Sequence, residues 1–198
     1  MFAVRIHGRG GQGAVTAAEM LSVAAFNEGR HAQAFPTFGS ERTGAPVVSF
    51  CRIDDRPIRV REPITHPDAV LVQDPTLLHQ VDLFAGLAPT GHLLVNTSKT
   101  LEELGLAELA GTLDVRRVAT VPATELAREH LGRPLPNAAL LGGFAALTGQ
   151  VGLDAVVGAI RERFAGAVGE GNAKAAEAAY EHVRETVTRE SGRKAGVH

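Results

Sequence analysis

The chain opens on Phe2-Ala3-Val4-Arg5-Ile6-His7, which runs directly into Gly8-Arg9-Gly10-Gly11-Gln12-Gly13 and then into a helical pattern. No other feature restricts the fold as much. A strand, a glycine turn and a helix in immediate succession bring bare backbone N–H groups to a helix N-terminus, where partial positive charge collects. Such a place suits a phosphate or another anion. Gly8, Gly10 and Gly13 also fit the three-glycine pattern of dinucleotide-binding units. That pattern calls for an Asp or Glu about 20 residues further on, at the end of the second strand. The matching stretch, His31-Ala32-Gln33-Ala34-Phe35-Pro36, has no acid; Glu28 falls too early and Glu41 lies past a proline. Three readings of the loop stay open: a dinucleotide site, another anion or partner contact, and turn geometry alone.

Behind the loop, Ala14, Ala17, Ala18, Leu21 and Ala25 recur at helical spacing, and Gly29 marks the helix end. Val47–Ile53 is a near-continuous apolar run, as expected of a strand covered on both faces. Further strands are expected at Asp68–Gln73, at Gly91–Asn96 and, shorter, within Leu113–Ala119. Asp74-Pro75 fits a cap followed by a first-turn proline. A turn at Asn96-Thr97-Ser98-Lys99 leads toward a short helix at Leu101–Leu104. Alternation of strands and helices argues for a mostly parallel α/β sheet flanked by helices. The last third then reads as helices at Asn137–Gly149, Asp154–Phe164 and Asn172–Glu190, a C-terminal helical segment. We expect a single domain over residues 1–190 and a flexible polar tail over 191–198.

Composition removes several classes of function. A length of 198 residues lets one domain bury about 70% of its unfolded surface. A net charge of −2 argues against a nucleic-acid arm or a polybasic membrane anchor. With no Trp and Tyr180 as the single tyrosine, stacking platforms for single-stranded nucleic acid are lacking. Leu135–Leu153 carries no charge, yet its proline, its polar residues and its glycines favour a buried helix over a membrane span. Cys51 is the one cysteine: it forms no internal disulfide, cannot supply four thiolates to an iron–sulfur cluster, and reads as a small buried strand residue rather than a reactive thiol. No signal peptide is expected before the first strand, and with the reducing compartment implied by cysteine usage this points to the cytoplasm.

Catalytic patterns are missing too. The eight histidines are scattered, with no His-Glu-x-x-His spacing. Gly39-Ser40-Glu41-Arg42 lacks the second glycine of a nucleophile elbow, and Gly8–Gly13 lacks the Lys-Ser/Thr ending of a P-loop. Asp54-Asp55 reads as a turn. A chain without catalytic apparatus is best understood as a subunit. One long connection stands apart: Phe35-Pro36-Thr37-Phe38-Gly39-Ser40-Glu41-Arg42-Thr43-Gly44-Ala45-Pro46 has no obvious turn rule, and such loops tend to be functional. It can offer Ser40, Glu41 and Arg42 to a ligand or partner, or form a surface loop with a solvated ion pair.

Ile6–Gly13, followed at a fixed distance by Gln33–Pro46, closely resembles the gamma subunit of 2-oxoacid:ferredoxin oxidoreductases, the pyruvate:ferredoxin oxidoreductase family. The resemblance continues through Asp74–Leu78, Asn137–Phe144 and Ile160–Phe164 and covers nearly the whole chain. It implies a Rossmann-like domain that packs on alpha and beta, and often delta, subunits. Thiamine diphosphate and magnesium would sit with alpha and beta, and iron–sulfur clusters on beta and delta. The implied reaction is oxidative decarboxylation of a 2-oxoacid, pyruvate or 2-oxoglutarate, to acyl-CoA and CO2 with reduction of ferredoxin. The gamma part is associated with coenzyme A handling, which makes Gly8, Arg9, Gly10, Gly11, Gln12, Gly13, Gly39, Ser40, Glu41, Arg42 and Lys99 its expected cofactor-binding residues. Thr43 departs from the pattern, because many members carry a second arginine there, and its loss weakens a phosphate or interface contact. Related subunits occur in indolepyruvate and oxalate-type oxidoreductases. A docking module without a ligand is the reading from another class.

Overall fold

The computed structural model describes residues 1–37 and 43–195. In chain order the elements are β1 (Phe2–Arg9), α1 (Ala14–Asn27), β2 (His31–Pro36), β3 (Pro46–Asp54), β4 (Ala69–Val72), β5 (His92–Asn96), α2 (Ala107–Thr112), β6 (Val118–Val121), α3 (Ala123–Leu131), α4 (Asn137–Thr148), α5 (Leu153–Arg163) and α6 (Gly166–Ala195). Short 3-10 helices span Pro75–His79 and Val115–Arg117. The strands form a six-stranded sheet in the order β2-β3-β1-β4-β5-β6. Pairs β1–β4, β4–β5 and β5–β6 are parallel, whereas β3 runs antiparallel to both β1 and β2. The result is the expected mostly parallel, Rossmann-like α/β sheet.

β1 is the point at which the strand order reverses. The chain first fills the β3 side, then crosses to lay β4 on the other. β2 runs with β1, so it ends at the edge where β1, β4, β5 and β6 end and where β3 begins. The residues just before β3, Thr43 to Ala45, thereby come against the glycine loop. Gly10 pairs with Thr43; its N–H donates to the Ala45 carbonyl at 2.9 Å, and its carbonyl accepts from the Gly44 N–H at 3.0 Å.

Several boundaries differ from the sequence reading for local reasons. β1 continues through Gly8 and Arg9, so the turn starts later. β3 is the antiparallel member of the mostly parallel sheet, and Ser49–Ile53 is buried as its apolar run suggests. β6 starts at Val118 because Asp114 accepts from the Arg116 N–H and turns the chain into the 3-10 helix before it. Thr100 and Glu103 bond each other's N–H groups, a reciprocal capping box, but the chain makes turns there and helix α2 begins only at Ala107. Asn137 is the first residue inside α4 rather than its cap, which is Pro136. α6 starts at Gly166 and runs on to Ala195, into the segment expected as a tail.

The two faces of the sheet are covered differently. Val4, Ile6, Cys51, Ile53, Leu71 and Leu94 meet α1 and α3–α6 in the main core. α4 is buried on nearly every side from Ala138 to Ala145, which is why its sequence lacks a polar stripe. No helix of the described residues is long and apolar enough to cross a membrane. Cys51 is fully buried and its thiol is pushed up to about 12 by desolvation, an inert strand residue. On the other face Val70, Val72, Leu93 and Val95 pack under the 3-10 helix at Pro75–His79 and the loops around it.

That second face also holds two buried arginines. Arg5 donates to the carbonyls of Leu83 (2.9 Å), Ala85 (2.7 Å) and Ile64 (3.5 Å), and Arg52 donates to that of Glu62. They tie the segments that follow β3 and β4 onto the sheet. The Arg5 Nε–H donates to His7 Nε2 at 3.0 Å, which requires a neutral imidazole. Burial, then the Arg5 charge, push His7 down to about 4. The unfolded chain therefore takes up a proton near the ordinary value of 6.5 that the folded chain refuses until about 4. Stability from this group is complete above about pH 6.5 and falls by about 3 kcal/mol as pH drops to 4, at about 1.4 kcal/mol per unit. Urea unfolding at pH 4.5 and 7 checks this: His7→Gln, which still accepts from Arg5, should lose most of the slope. An unchanged slope would place the titration elsewhere.

Candidate functional site at the carboxyl edge of the sheet

The glycine loop is held by side chains at its own ends. Gln12 Oε1 accepts from the Arg9 N–H at 2.8 Å, and the Gln12 N–H donates to the Arg9 carbonyl at 3.0 Å. Both side chains then reach Asp74: Gln12 Nε2 donates to Oδ2 at 2.8 Å and Arg9 Nε at 3.1 Å. Oδ1 of Asp74 accepts from the Thr76 N–H (2.9 Å) and hydroxyl (2.6 Å), capping the 3-10 helix that Pro75 starts. Arg9 also donates to Thr76 Oγ1 at 2.7 Å and to the Gly44 carbonyl at 3.0 Å. One carboxylate thus clamps the ends of β1 and β4 and, through Arg9, the start of β3. Burial pushes Asp74 up, but its hydrogen bonds from Thr76 and Gln12 and the Arg9 charge outweigh this and hold it below the ordinary carboxylate range.

The N–H groups of Gly10 and Gln12 are consumed in the loop, which corrects the expectation that the loop's N–H groups stand bare. Gly11 (φ 93°) and Gly13 (φ 76°) supply the left-handed turns, and α1 then starts with no side-chain cap. At this end of α1, where the first-turn N–H groups have no partner within the helix, lies a cavity of about 280 Å³ lined by Arg9, Gly10, Gly11, Gly13, Ala14, Val15 and Val47. Gly13 also lies against Asn137 at the start of α4: a Cβ there would stand 2.5 Å from Nδ2.

Lys99 lies at the same edge but in a neighbouring cleft of about 290 Å³, with Gln12, Gln73, Asn96, Thr97 and Arg128. Gln12 is the glycine-loop residue that reaches this cleft; Gly10, Gly11 and Gly13 line the other cavity. Gly8 is still in the strand, packed against Gln73. Gly39, Ser40, Glu41 and Arg42 lie outside the described residues; Thr43 and Gly44, next to them, touch the glycine loop. The sequence reading missed Gln73, Thr124 and Arg128. The signal for Gln73 was present, since a polar residue closes the apolar strand Ala69–Val72 as Asn96 closes β5. Asn96 does structural work there: it donates to the Gln73 carbonyl and Thr124 Oγ1 and accepts from the Thr124 N–H, joining β5 to the start of α3. Asp54 and Asp55 do form a turn, paired with the N-terminus and Arg30. Among the described residues no group of three or more His, Cys, Asp or Glu is placed to hold a metal.

Known proteins match this chain over most of its length. The pattern of the family described as pyruvate ferredoxin/flavodoxin oxidoreductase matches residues 3–182. The chain is 54% identical over 182 residues to the pyruvate/ketoisovalerate oxidoreductases common subunit gamma of Thermococcus kodakarensis, covering 91% of this chain and 96% of that one. It is 47% identical over 184 residues to pyruvate synthase subunit PorC of Methanothermobacter marburgensis, covering 93% and 98%. The crystal structure of pyruvate oxidoreductase subunit PORC from Thermotoga maritima aligns with a TM-score of 0.76 and 37% identity over 91% of this chain and 95% of that one. The chain belongs to the pyruvate ferredoxin/flavodoxin oxidoreductase family, as a gamma subunit of a 2-oxoacid:ferredoxin oxidoreductase.

Proposed function

We propose that this chain is a non-catalytic subunit that supplies assembly contacts and holds the phosphates of coenzyme A at the carboxyl edge of its sheet. The enzyme it serves decarboxylates a 2-oxoacid, pyruvate or 2-oxoglutarate, to acyl-CoA and CO2 while reducing ferredoxin in the cytoplasm. Thiamine diphosphate, magnesium and iron–sulfur clusters belong to the alpha, beta and delta partners in this reading. The observation that carries it is the uncapped N-terminus of α1 facing a cavity built from Gly10, Gly11 and Gly13. The described residues fit a phosphate there: backbone N–H groups at the start of α1, no acidic side chain among the described residues lining the cavity, and glycines that allow close approach. When bound, coenzyme A supplies the thiol that accepts the acyl group; this chain's part is to position its phosphates. The planar fork of Arg42 suits a phosphate or a partner's carboxylate, and Lys99 brings a positive charge to the neighbouring cleft.

In the assembled enzyme, Gly13→Val should raise the KM for coenzyme A at least tenfold while 2-oxoacid-dependent decarboxylation persists. The side chain is strained at φ 76° and presses on Asn137, which displaces the α1 N-terminus beside the cavity. Arg42→Ala should weaken either assembly or coenzyme A use. If both variants assemble and keep the wild-type KM, the ligand contact is rejected. If both lose only assembly, the chain is a docking module.

A further inference from the structure

The segment after β3 has the pattern of a strand but no strand to pair with. Ile58-Arg59-Val60-Arg61 alternates β-branched and charged residues with the period of two that a half-covered strand requires. Pro57 and Pro63 bias the residues before them, Arg56 and Glu62, toward extended backbone. Both ends are fixed: the Arg56 N–H donates to Asp54 Oδ1 at 3.1 Å, and the Glu62 carbonyl accepts from Arg52. Between them, no backbone N–H or carbonyl of Ile58 to Arg61 bonds to another described residue. A row of unused backbone groups is what an added strand pairs with.

The charges point the same way. Arg56, Arg59 and Arg61 are exposed, and none of the three guanidinium groups has an ion pair or hydrogen bond among the described residues. Carboxylates close in sequence are engaged elsewhere: Asp54 with the N-terminus, Asp55 with Arg30, and Asp68 with the Ala3 N–H. Val60, between two of the arginines, is 43% exposed, and Met1, whose amino group bonds Asp54, is 63% exposed. Arginine and methionine are enriched where proteins meet. The chain leaves the sheet at Asp54, opposite Phe2 and His31, and returns at Asp68 beside Ala3. Both points lie at the edge of the sheet opposite the glycine loop, so this surface is separate from the site described above.

We propose that residues 56–61 receive an extended acidic segment of a partner subunit, which adds a strand along Ile58–Arg61 and sets its carboxylates against Arg56, Arg59 and Arg61. The planar guanidinium fork fits a carboxylate with two parallel bonds. A nucleic acid or an anionic membrane would use the arginines and leave the backbone groups idle. The inference rests on the assembly role proposed above and deepens it, because it names the surface and the chemistry of what covers it.

Binding of the full 198-residue chain to the remaining subunits of the enzyme, purified together, tests it. Arg59→Glu together with Arg61→Glu should weaken binding by roughly 30-fold or more. Urea unfolding of that variant should match wild type, since neither guanidinium has a partner to lose. Reversing Lys174 and Arg184 on α6 makes the same change in net charge and should leave the affinity unaltered. Amide exchange at Ile58–Arg61 should be fast in the free chain and at least about tenfold slower in the complex. Wild-type affinity in the Arg59/Arg61 variant, an equal loss from the α6 reversal, or amides that stay fast in the complex overturns the proposal. So does a charge-dependent affinity for DNA or phosphatidylglycerol vesicles with subunit binding untouched. A wild-type chain that fails to bind the other subunits rejects the assembly role itself; a reversed chain that binds as wild type rejects this inference alone.

Discussion

Gly142→Ala is expected to destabilise the fold by about 3 kcal/mol, the upper end of ordinary overpacking. A Cβ at Gly142 would lie 1.9 Å from the Ala176 carbonyl oxygen, 2.6 Å from its carbon and 2.8 Å from its Cα. These are backbone atoms of α6, so no rotamer change relieves the clash and the two helices have to part. Ala173, Ala175, Ala176 and Ala179 on α6 are all buried, the small residues that such close approach demands. Gly158 in α5 is the control, since a Cβ there meets open space. Gly158→Ala should be stabilising by about 0.5–1 kcal/mol, the usual gain in a helix interior. Urea unfolding of both variants decides the matter. A Gly142→Ala chain as stable as wild type would mean that α4 and α6 do not approach this closely. The packing bears on the site because α4 begins at Asn137, the residue against which Gly13 rests.

How far the sequence could be read depended on whether the cause was local. The helix α1 and the strands around Val4, Val70 and Leu94 follow from periodicity and from residues within a few positions, and they stand where expected. The direction of β3 does not. Its apolar run is the same whether the strand is parallel or antiparallel, and only the crossover after β1 settles the sense. Asp114 is a strong local turn former that overrides the apolar pattern around it, and β6 therefore begins only at Val118. At the site, the glycine loop was legible because a strand–turn–helix is contiguous. Lys99 follows closely on β5 and so lies at the same edge. Its separation from Gly10, Gly11 and Gly13 into a second cleft depends on Gln12 turning toward Asp74, a contact across 62 positions that no spacing rule contains.

That same carboxylate is where a single substitution should undo the most of the site. Asp74 accepts from Gln12, Arg9 and both donors of Thr76, and its side chain is 14% exposed. Asp74→Ala removes charge-assisted bonds worth about 1.5–3 kcal/mol and leaves Arg9 without its counter-ion. The loss should be local before it is global. The glycine loop keeps its link to Ala45 and Gly44 but loses its hold on β4, so amide exchange at Gln12 and Thr76 should speed by roughly 10–100-fold, the equivalent of about 1.4–2.8 kcal/mol. Asp55→Ala, which breaks an ion pair with Arg30 on a carboxylate 85% exposed, should change nothing beyond about 0.5 kcal/mol. Acid should imitate the first variant. Because Asp74 is held below the ordinary carboxylate value, the clamp is intact above about pH 4 and is lost as pH falls through its depressed pKa. Exchange at Gln12 that is equally slow in Asp74→Ala would show that Arg9 and Gly44 hold the loop unaided. Asp74 would then be only the cap of the 3-10 helix that follows it.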